Sequence, residues 1–366
     1  MSRRFIISSP HHSNACRGEW TFPSSETSEP SRINAAPHAT AVYSGCGRIA
    51  GRQCGRQLAG RWRLPIGRAR SAGMTLPLAD LNRMTLPAFS EAVGETFELA
   101  PWVAEAAWAK RPFASVTALH EAMMGAVRAA PRERKLEFLR GHPDLAGKAA
   151  RAGAITTDSR REQSSVGLDS LSEADFSRFH RLNDAYRAKF GFPFIVCVRR
   201  HTRDSILAQF ERRLGHDAAT EFAAALLEVF YITRLRIAAK VTGEGMPRVN
   251  GRLSTHVLDT HAGRPAVGVA VELYEFAGET AHRIAATVTN ADGRTDRPLI
   301  GDRPLPIGRY ELHFAVGDHF RSRGIEQSDP PFLDIVPLRF SIAEPEGHYH
   351  VPLLCTPWSY STYRGS

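Results

Sequence analysis

The sequence predicts two dissimilar domains, an all-α helical bundle followed by an all-β antiparallel β-sandwich. Three observations carry this. Apolar residues recur at a spacing near four from about Leu76 to Val241. Beyond about residue 250 the spacing falls to two. Between the two regimes lies Thr242-Gly243-Glu244-Gly245-Met246-Pro247, whose Gly and Pro suit neither helix nor strand. The shifts divide the chain into a tail over 1–73, a helical domain over 74–241, a linker over 242–249 and a strand-rich domain over 250–366.

Taken in order, Thr85 followed by Leu86-Pro87 marks a helix start, because proline is tolerated in the first turn, where the N–H has no partner anyway. Phe89, Val93 and Phe97 then share one face. Ser115 caps a helix carrying Leu119, Met123 and Val127 that stops before Pro131. Residues 131–140 form a short helix closed by Gly141. Ser172-Glu173-Ala174-Asp175 has the form of a capping box ahead of Phe176, Phe179, Leu182 and Tyr186, and Gly191 ends that helix. Two more follow, about 203–214 and 217–241. The last is apolar on most sides (Phe222, Leu226, Leu227, Val229, Phe230, Ile232), which predicts a central, buried helix. In the second domain Val269, Val271 and Leu273 alternate with Ala270, Glu272 and Tyr274. Ile284, Ala286 and Val288 continue the alternation up to an Asn290-Ala291-Asp292-Gly293 turn. Residues 310–316 and 335–342 supply further strands, with one short helix expected at about 318–324.

Composition narrows the function classes. The 366 residues are 43% hydrophobic and 23% charged, with no apolar run long enough to cross a bilayer, so no membrane partner is expected. The net charge of +9 would suit a nucleic-acid partner, but residues 1–73 hold 11 Arg, no Lys and three Glu, which is +8 of that total. The domains are nearly neutral, and no nucleic acid is implied. The tail, rich in Ser, Gly, Arg and His, lacks periodic apolar positions and so lacks a core of its own. It has the composition of a transit peptide; the plainer reading makes Met74 the working initiator. Cys16, Cys46 and Cys54 lie in it, leaving Cys197 and Cys355, one per domain in apolar surroundings. No disulfide framework is expected, and a reducing, cytoplasmic setting fits.

The candidate chemistry of the second domain lies in His256, Arg294, His348 and His350. His348 and His350 are two apart on an expected strand and therefore face the same side. His256 falls on another strand, and Arg294 follows the Asp292-Gly293 turn. Packed or solvated strand histidines would look the same. So would a three-histidine zinc site made from His256, His348 and His350, although no Asp or Glu is placed to orient those rings, and no metal is expected.

With Ser254-Thr255-His256-Val257-Leu258-Asp259, His348-Tyr349-His350-Val351-Pro352-Leu353-Leu354 and the terminal Tyr363-Arg364-Gly365-Ser366, residues 250–366 resemble the 5-hydroxyisourate hydrolases, the enzyme branch of the transthyretin-like family. The resemblance implies a transthyretin-like sandwich and a catalytic trio of His256, Arg294 and His350, with His348 in support. It also implies that Tyr363, Arg364, Gly365 and Ser366 close the site on substrate, and that the protein is a homo-oligomer, dimer or tetramer, through this domain. Opening the acyl N–C bond needs an activated water and a stabilised oxyanion, which a neutral histidine and a fixed arginine supply without a cofactor.

The helical domain carries Gly141-His142-Pro143-Asp144-Leu145-Ala146-Gly147, Glu162-Gln163 and Phe190-Gly191-Phe192-Pro193-Phe194-Ile195-Val196-Cys197-Val198. Physically, His142 precedes a proline and should sit in a loop after a helix. Ser159-Arg160-Arg161-Glu162 reads as a capping box with Ser159 at the N-cap. Over about 76–241 these segments resemble 2-oxo-4-hydroxy-4-carboxy-5-ureidoimidazoline (OHCU) decarboxylases. The resemblance implies proton transfer by His142. It implies substrate contacts from Pro143, Ser159, Arg160, Arg161, Glu162, Gln163, Phe194, Ile195, Val196, Cys197 and Val198, again with no cofactor. Joined in one chain, the two halves predict a bifunctional enzyme turning 5-hydroxyisourate into OHCU and OHCU into (S)-allantoin. The alternative is a small-ligand binding protein with a helical interaction domain, which the terminal Tyr-Arg-Gly-Ser argues against.

Overall fold

The computed structural model describes residues 75–147 and 155–365. The expectations for residues 1–73, Met74 and Ser366 fall outside the described residues. Among the described residues from Leu78 to Lys240 the α-helices are α1 (Leu78–Leu81), α2 (Leu86–Val93), α3 (Pro101–Trp108), α4 (Val116–Ala129), α5 (Arg132–Arg140), α6 (Thr157–Ser164), α7 (Glu173–Phe190), α8 (Arg203–Leu214) and α9 (Ala218–Lys240). Local chemistry sets several of the ends. The Ser115 hydroxyl accepts from Ala118 N–H to open α4, Ser172 accepts from Asp175 N–H to open α7, and Gly191 ends α7 at φ +76°. One core gathers Phe89, Val93, Phe97, Leu119, Met123 and Val127 with Phe179, Tyr186 and Phe210.

Three expectations are corrected here. The N-cap of α6 is Thr156, whose hydroxyl accepts from Ser159 N–H, so Ser159 lies inside the helix and Glu162 does not bond back. Helix α9 is not a uniformly apolar centre. Leu227 is half exposed, Phe222, Leu226 and Phe230 are half-buried, and the buried face carries Glu221 and Arg236. The Gly/Pro segment after α9 is not a free linker. Val116 N–H and Thr117 N–H, orphan donors of the first turn of α4, bond to Glu244 O and Gly245 O at 2.9 and 3.1 Å. A short parallel pair, β1 (Leu76–Pro77) with β2 (Val241–Thr242), ties the two ends of the helical domain together.

Twelve elements follow, in chain order β3 (Gly251–Ser254), β4 (Val257–Asp259), β5 (Arg264–Pro265), β6 (Ala270–Ala277), β7 (Thr280–Val288), β8 (Ile300–Arg303), β9 (Gly308–Ala315), α10 (Val316–Ser322), β10 (Ile335–Ile342), β11 (His348–His350), β12 (Leu353–Cys355) and β13 (Tyr360–Thr362). One sheet, β10-β9-β6-β7, is antiparallel throughout; β11-β3-β8 and β13-β12-β4-β5 are mixed, because β11 pairs β3 and β12 pairs β4 in parallel. The two-residue alternation shows in the core, where Leu253, Val257, Val271, Leu273, Leu312 and Phe314 are fully buried. Strand β7 keeps its alternation but turns Ile284, Ala286 and Val288 outward. Ala285 and Thr287 lie opposite the buried Leu273 and Val271 and so take the inner side. Among the described residues no helix is long and apolar enough to cross a membrane, and Cys197 and Cys355 are buried free thiols.

Two candidate active sites

In the helical domain a small cleft opens between the loop after α5, helix α6, the irregular segment 194–198 and the inner face of α9. The loop places His142 there, buried, with Nδ1 3.1 Å from Phe138 O. A carbonyl can only accept, so Nδ1 carries the proton and Nε2 is left with its lone pair. Burial lowers the imidazole to about 4, against the opposing pull of Glu98, so the ring is neutral near pH 7. Gln163 holds that loop from below: its Oε1 accepts from Ala146 N–H at 3.0 Å and its Nε2 donates to Asp144 O at 3.3 Å. Gln163 therefore holds the loop that shapes the cleft.

At the floor lies a charge cluster that the sequence reading missed. Arg236 of α9 is bidentate on Glu162, Nε to Oε1 at 2.9 Å and Nη2 to Oε2 at 2.7 Å, and its Nη1 donates to Glu98 Oε2 at 2.9 Å. The Ser159 hydroxyl donates to Glu98 and accepts from Arg236, and the Thr156 hydroxyl donates to the other Glu98 oxygen at 2.7 Å. Burial opposes the Arg236 charge, but the bonds to Glu162 and Glu98 outweigh it, and the guanidinium is held above its ordinary range. Glu98 precedes Leu99, a non-glycine residue at φ +50°. The available signal was a charged residue, Arg236, on the otherwise buried stripe of a helix; Glu98 carried no motif at all.

The expected contacts divide accordingly. His142, Pro143, Ser159, Glu162, Gln163, Phe194, Ile195, Val196 and Val198 line the cleft, with Leu145, Ile232 and Arg236. Cys197 is not among the lining residues and instead fixes the wall, its N–H donating to Glu228 Oε2 at 2.8 Å. Arg160 and Arg161 are exposed and do not line the cleft; Arg160 reaches Ile155 O.

In the sandwich a second cleft is lined by Arg252, Ser254, Thr255, Arg294, Thr295, Pro298, His348 and His350. Its shape follows from an interruption. The strand pairing of β11–β12 with β3–β4 is interrupted at Val351-Pro352, opposite Thr255-His256, although Val351 N–H and Leu353 N–H still donate to Ser254 O and His256 O at 3.0 and 2.8 Å. The Thr255 hydroxyl donates to Val351 O at 2.7 Å across that interruption. His256 is thus between strands rather than within one, and it bridges Arg294 across the backbone. Gly293 makes the approach possible at φ +69°; a Cβ there would lie 2.3 Å from Val257 O.

His256 and His350 face each other with ring centroids 6.5 Å apart. Ser254 Oγ joins the second pair, 3.0 Å from His350 Nδ1 and 3.2 Å from His348 Nε2. Burial, then the Arg294 charge, lowers both His256 and His350 below the usual histidine range, so both are poised as neutral bases. His256 Nε2 is buried without a hydrogen-bond partner. The tail returns along β11: Gly365 N–H donates to His350 O at 2.9 Å. Arg364 stacks 4.7 Å over the Tyr349 ring, and Tyr363 is exposed; neither lines the cleft. Among the described residues no group of three His, Cys, Asp or Glu is gathered as a metal centre needs.

Comparison with known proteins places both halves. Residues 82–238 match the model of the OHCU decarboxylase family, and residues 253–365 match that of the HIUase/transthyretin family. The chain is 55% identical over 117 residues to 5-hydroxyisourate hydrolase 2 of Rhizobium meliloti (strain 1021), covering 98% of that protein and 32% of this chain. It is 45% identical over 169 residues to 2-oxo-4-hydroxy-4-carboxy-5-ureidoimidazoline decarboxylase of Haloferax volcanii, covering 98% of that protein and 46% of this chain. A crystal structure of an (S)-allantoin synthase aligns over 80% of this chain and 100% of its own, at 36% identity and a TM-score of 0.45. The chain therefore belongs to two families at once, to the OHCU decarboxylases through its helical half and to the HIUase/transthyretin family through its sandwich.

Proposed function

We propose that this protein is a bifunctional enzyme of urate breakdown: residues 250–366 hydrolyse 5-hydroxyisourate to OHCU, and residues 74–241 decarboxylate OHCU to (S)-allantoin. The observation that carries the reading is the presence of two separate clefts, each built on a neutral histidine beside an arginine. In the sandwich, His350, the histidine of the trio that lines the cleft, takes the proton of the attacking water, His256 stands beside it, and Arg294 holds the charge that develops on the carbonyl oxygen. The sandwich presents Trp358, Tyr360 and Tyr363 in and beside the exposed edge strand β13, which supports assembly of a homo-oligomer through this domain.

In the helical cleft His142 Nε2 has a lone pair and no proton, so it must accept before it can donate. The substrate's C4 hydroxyl supplies that proton. The C4–carboxylate bond then breaks with loss of carbon dioxide, and its electron pair moves between C4 and C5 and onto the imine nitrogen, which takes a proton from solvent. The protonated ring returns one proton to C5 from its own side as the C4 oxygen becomes the carbonyl. Delivery from a single face makes the product optically active. Among the described lining residues the one guanidinium, Arg236, is engaged by two carboxylates, so the departing carboxylate lies against the apolar wall of Phe194, Val196 and Val198, where its charge is poorly solvated. No cofactor enters this scheme. Freshly made 5-hydroxyisourate, followed by ultraviolet absorbance and circular dichroism, tests both steps: faster decay with rising ellipticity is expected, and a background decay rate would leave only a binding protein.

A further inference from the structure

Each cleft has one wall next to an irregular stretch of chain, and these two stretches are laced to each other. In the helical half the wall segment 194–198 is held from outside, Arg213 Nη1 donating to Ile195 O at 2.8 Å and Glu228 accepting from Cys197 N–H. It continues into a single 3₁₀ turn, Val198–Arg200, and leaves the cleft alongside the sandwich. There Ile307 N–H donates to Arg200 O at 2.8 Å and Thr202 N–H donates to Ile307 O at 3.0 Å, a parallel bridge between the domains. The fit is close: a Cβ on Gly308 would lie 2.4 Å from the Thr202 methyl. Two residues before Ile307, Leu305 N–H donates to Pro345 O at 2.7 Å. The next residue, Glu346, accepts from Arg200 Nη2 at 3.2 Å, and β11 with its two histidines starts at residue 348.

The Arg200–Glu346 pair is more than a surface contact. The two side chains are only 11% and 23% exposed, and the guanidinium lies 3.6 Å over the Tyr231 ring of α9. Its Nη1 is buried without a hydrogen-bond partner. Without Glu346 the enclosed guanidinium would lose its direct ion pair, and the cheapest relief is to swing toward water. That motion would pull on the 3₁₀ turn and on the cleft wall that runs into it.

We propose that Arg200 and Glu346 form a shared positioning pair, which sets the wall of the helical cleft and the approach to the histidine strand of the sandwich together. Neither side chain lines either cleft; both act through backbone. The kinetic part of this proposal rests on the two-activity reading above, and the exchange part does not.

The test uses the full chain with Glu346→Gln, Glu346→Asp and the reversed pair Arg200→Glu with Glu346→Arg. Decarboxylation is read by circular dichroism with OHCU supplied by a separate hydrolase in excess, and amide hydrogen exchange is followed over residues 194–202. Glu346→Gln, a change in the sandwich, is expected to lower the decarboxylation kcat about threefold or more with a smaller change in KM. It should also speed exchange at Cys197 and Thr202, with Glu346→Asp and the reversed pair recovering part of both. Exchange over 194–202 matching the parent in Glu346→Gln would overturn the proposal, even if the parent showed no turnover. A parent with both activities and a Glu346→Gln variant with unchanged kcat would overturn it while leaving the two-activity reading intact.

Discussion

At the scale of single residues the chemistry turns on protonation. His142 is buried, donates from Nδ1 to Phe138 O and is lowered to about 4 by burial, so it works as an acceptor first. The required form is the neutral ring. Decarboxylation should therefore hold its rate as pH falls through the usual histidine range and decline only toward about pH 4, as a pH–kcat profile would record. His142→Ala should lower decarboxylation by about 10²- to 10⁴-fold while isourate loss continues, leaving allantoin from spontaneous decay without optical activity. Retained optical activity at the parent's rate would remove His142 from the reaction. His142 itself was legible in the sequence because His-Pro-Asp-Leu follows a helix that Gly141 closes. Its partners Glu98 and Arg236 were not, since they stand 138 residues apart and meet only when α9 packs across the cleft.

At the scale of elements, the capped helix starts and the two-residue alternation were readable because each depends on neighbours a few residues away. Failures arose where two solutions are locally equivalent. Thr156 and Ser159 can each cap a helix, and what decides is Glu98, which takes both hydroxyls. Strand β7 shows the same limit. Its alternation is local, but which side faces inward is set by its pairing with β6, so Ile284 and Val288 came out exposed. Two substitutions probe elements directly. Arg236→Gln would strand the buried Glu98 and the part-buried Glu162, and a loss of about 3–5 kcal/mol is expected in denaturant unfolding of the helical domain, together with loss of decarboxylation. Gly365→Ala would place a Cβ 2.7 Å from His350 Cδ2 and force the tail or the ring aside. Hydrolysis should drop about 10- to 100-fold with decarboxylation unaffected, by assays of each step with its own substrate.

At the scale of the whole molecule, burial of histidines links stability to pH. His120, His142 and His201 are each lowered by burial from an ordinary value of 6.5 to about 4. A folded-state value below the unfolded one means that the unfolded chain binds more protons between the two. Stability is full above about pH 6.5 and is lost as pH falls toward 4, by up to about 1.4 kcal/mol per pH unit for each histidine. Urea unfolding at pH 7.5 and pH 5 should show the lower midpoint at pH 5; equal midpoints would mean that these rings are not held neutral. The joining of the two halves was legible only as a Gly/Pro interruption. That the interruption packs on α4, and that Arg200 and Thr202 bridge to Ile307, depends on contacts across more than a hundred residues in each case.

One chain performing successive reactions in two clefts is the central claim. Its most direct test is the optical activity of allantoin formed from fresh 5-hydroxyisourate with this protein as the sole catalyst. The predicted result is isourate decay well above background and a product that is (S)-allantoin throughout; decay at the spontaneous rate, or racemic allantoin, would contradict it.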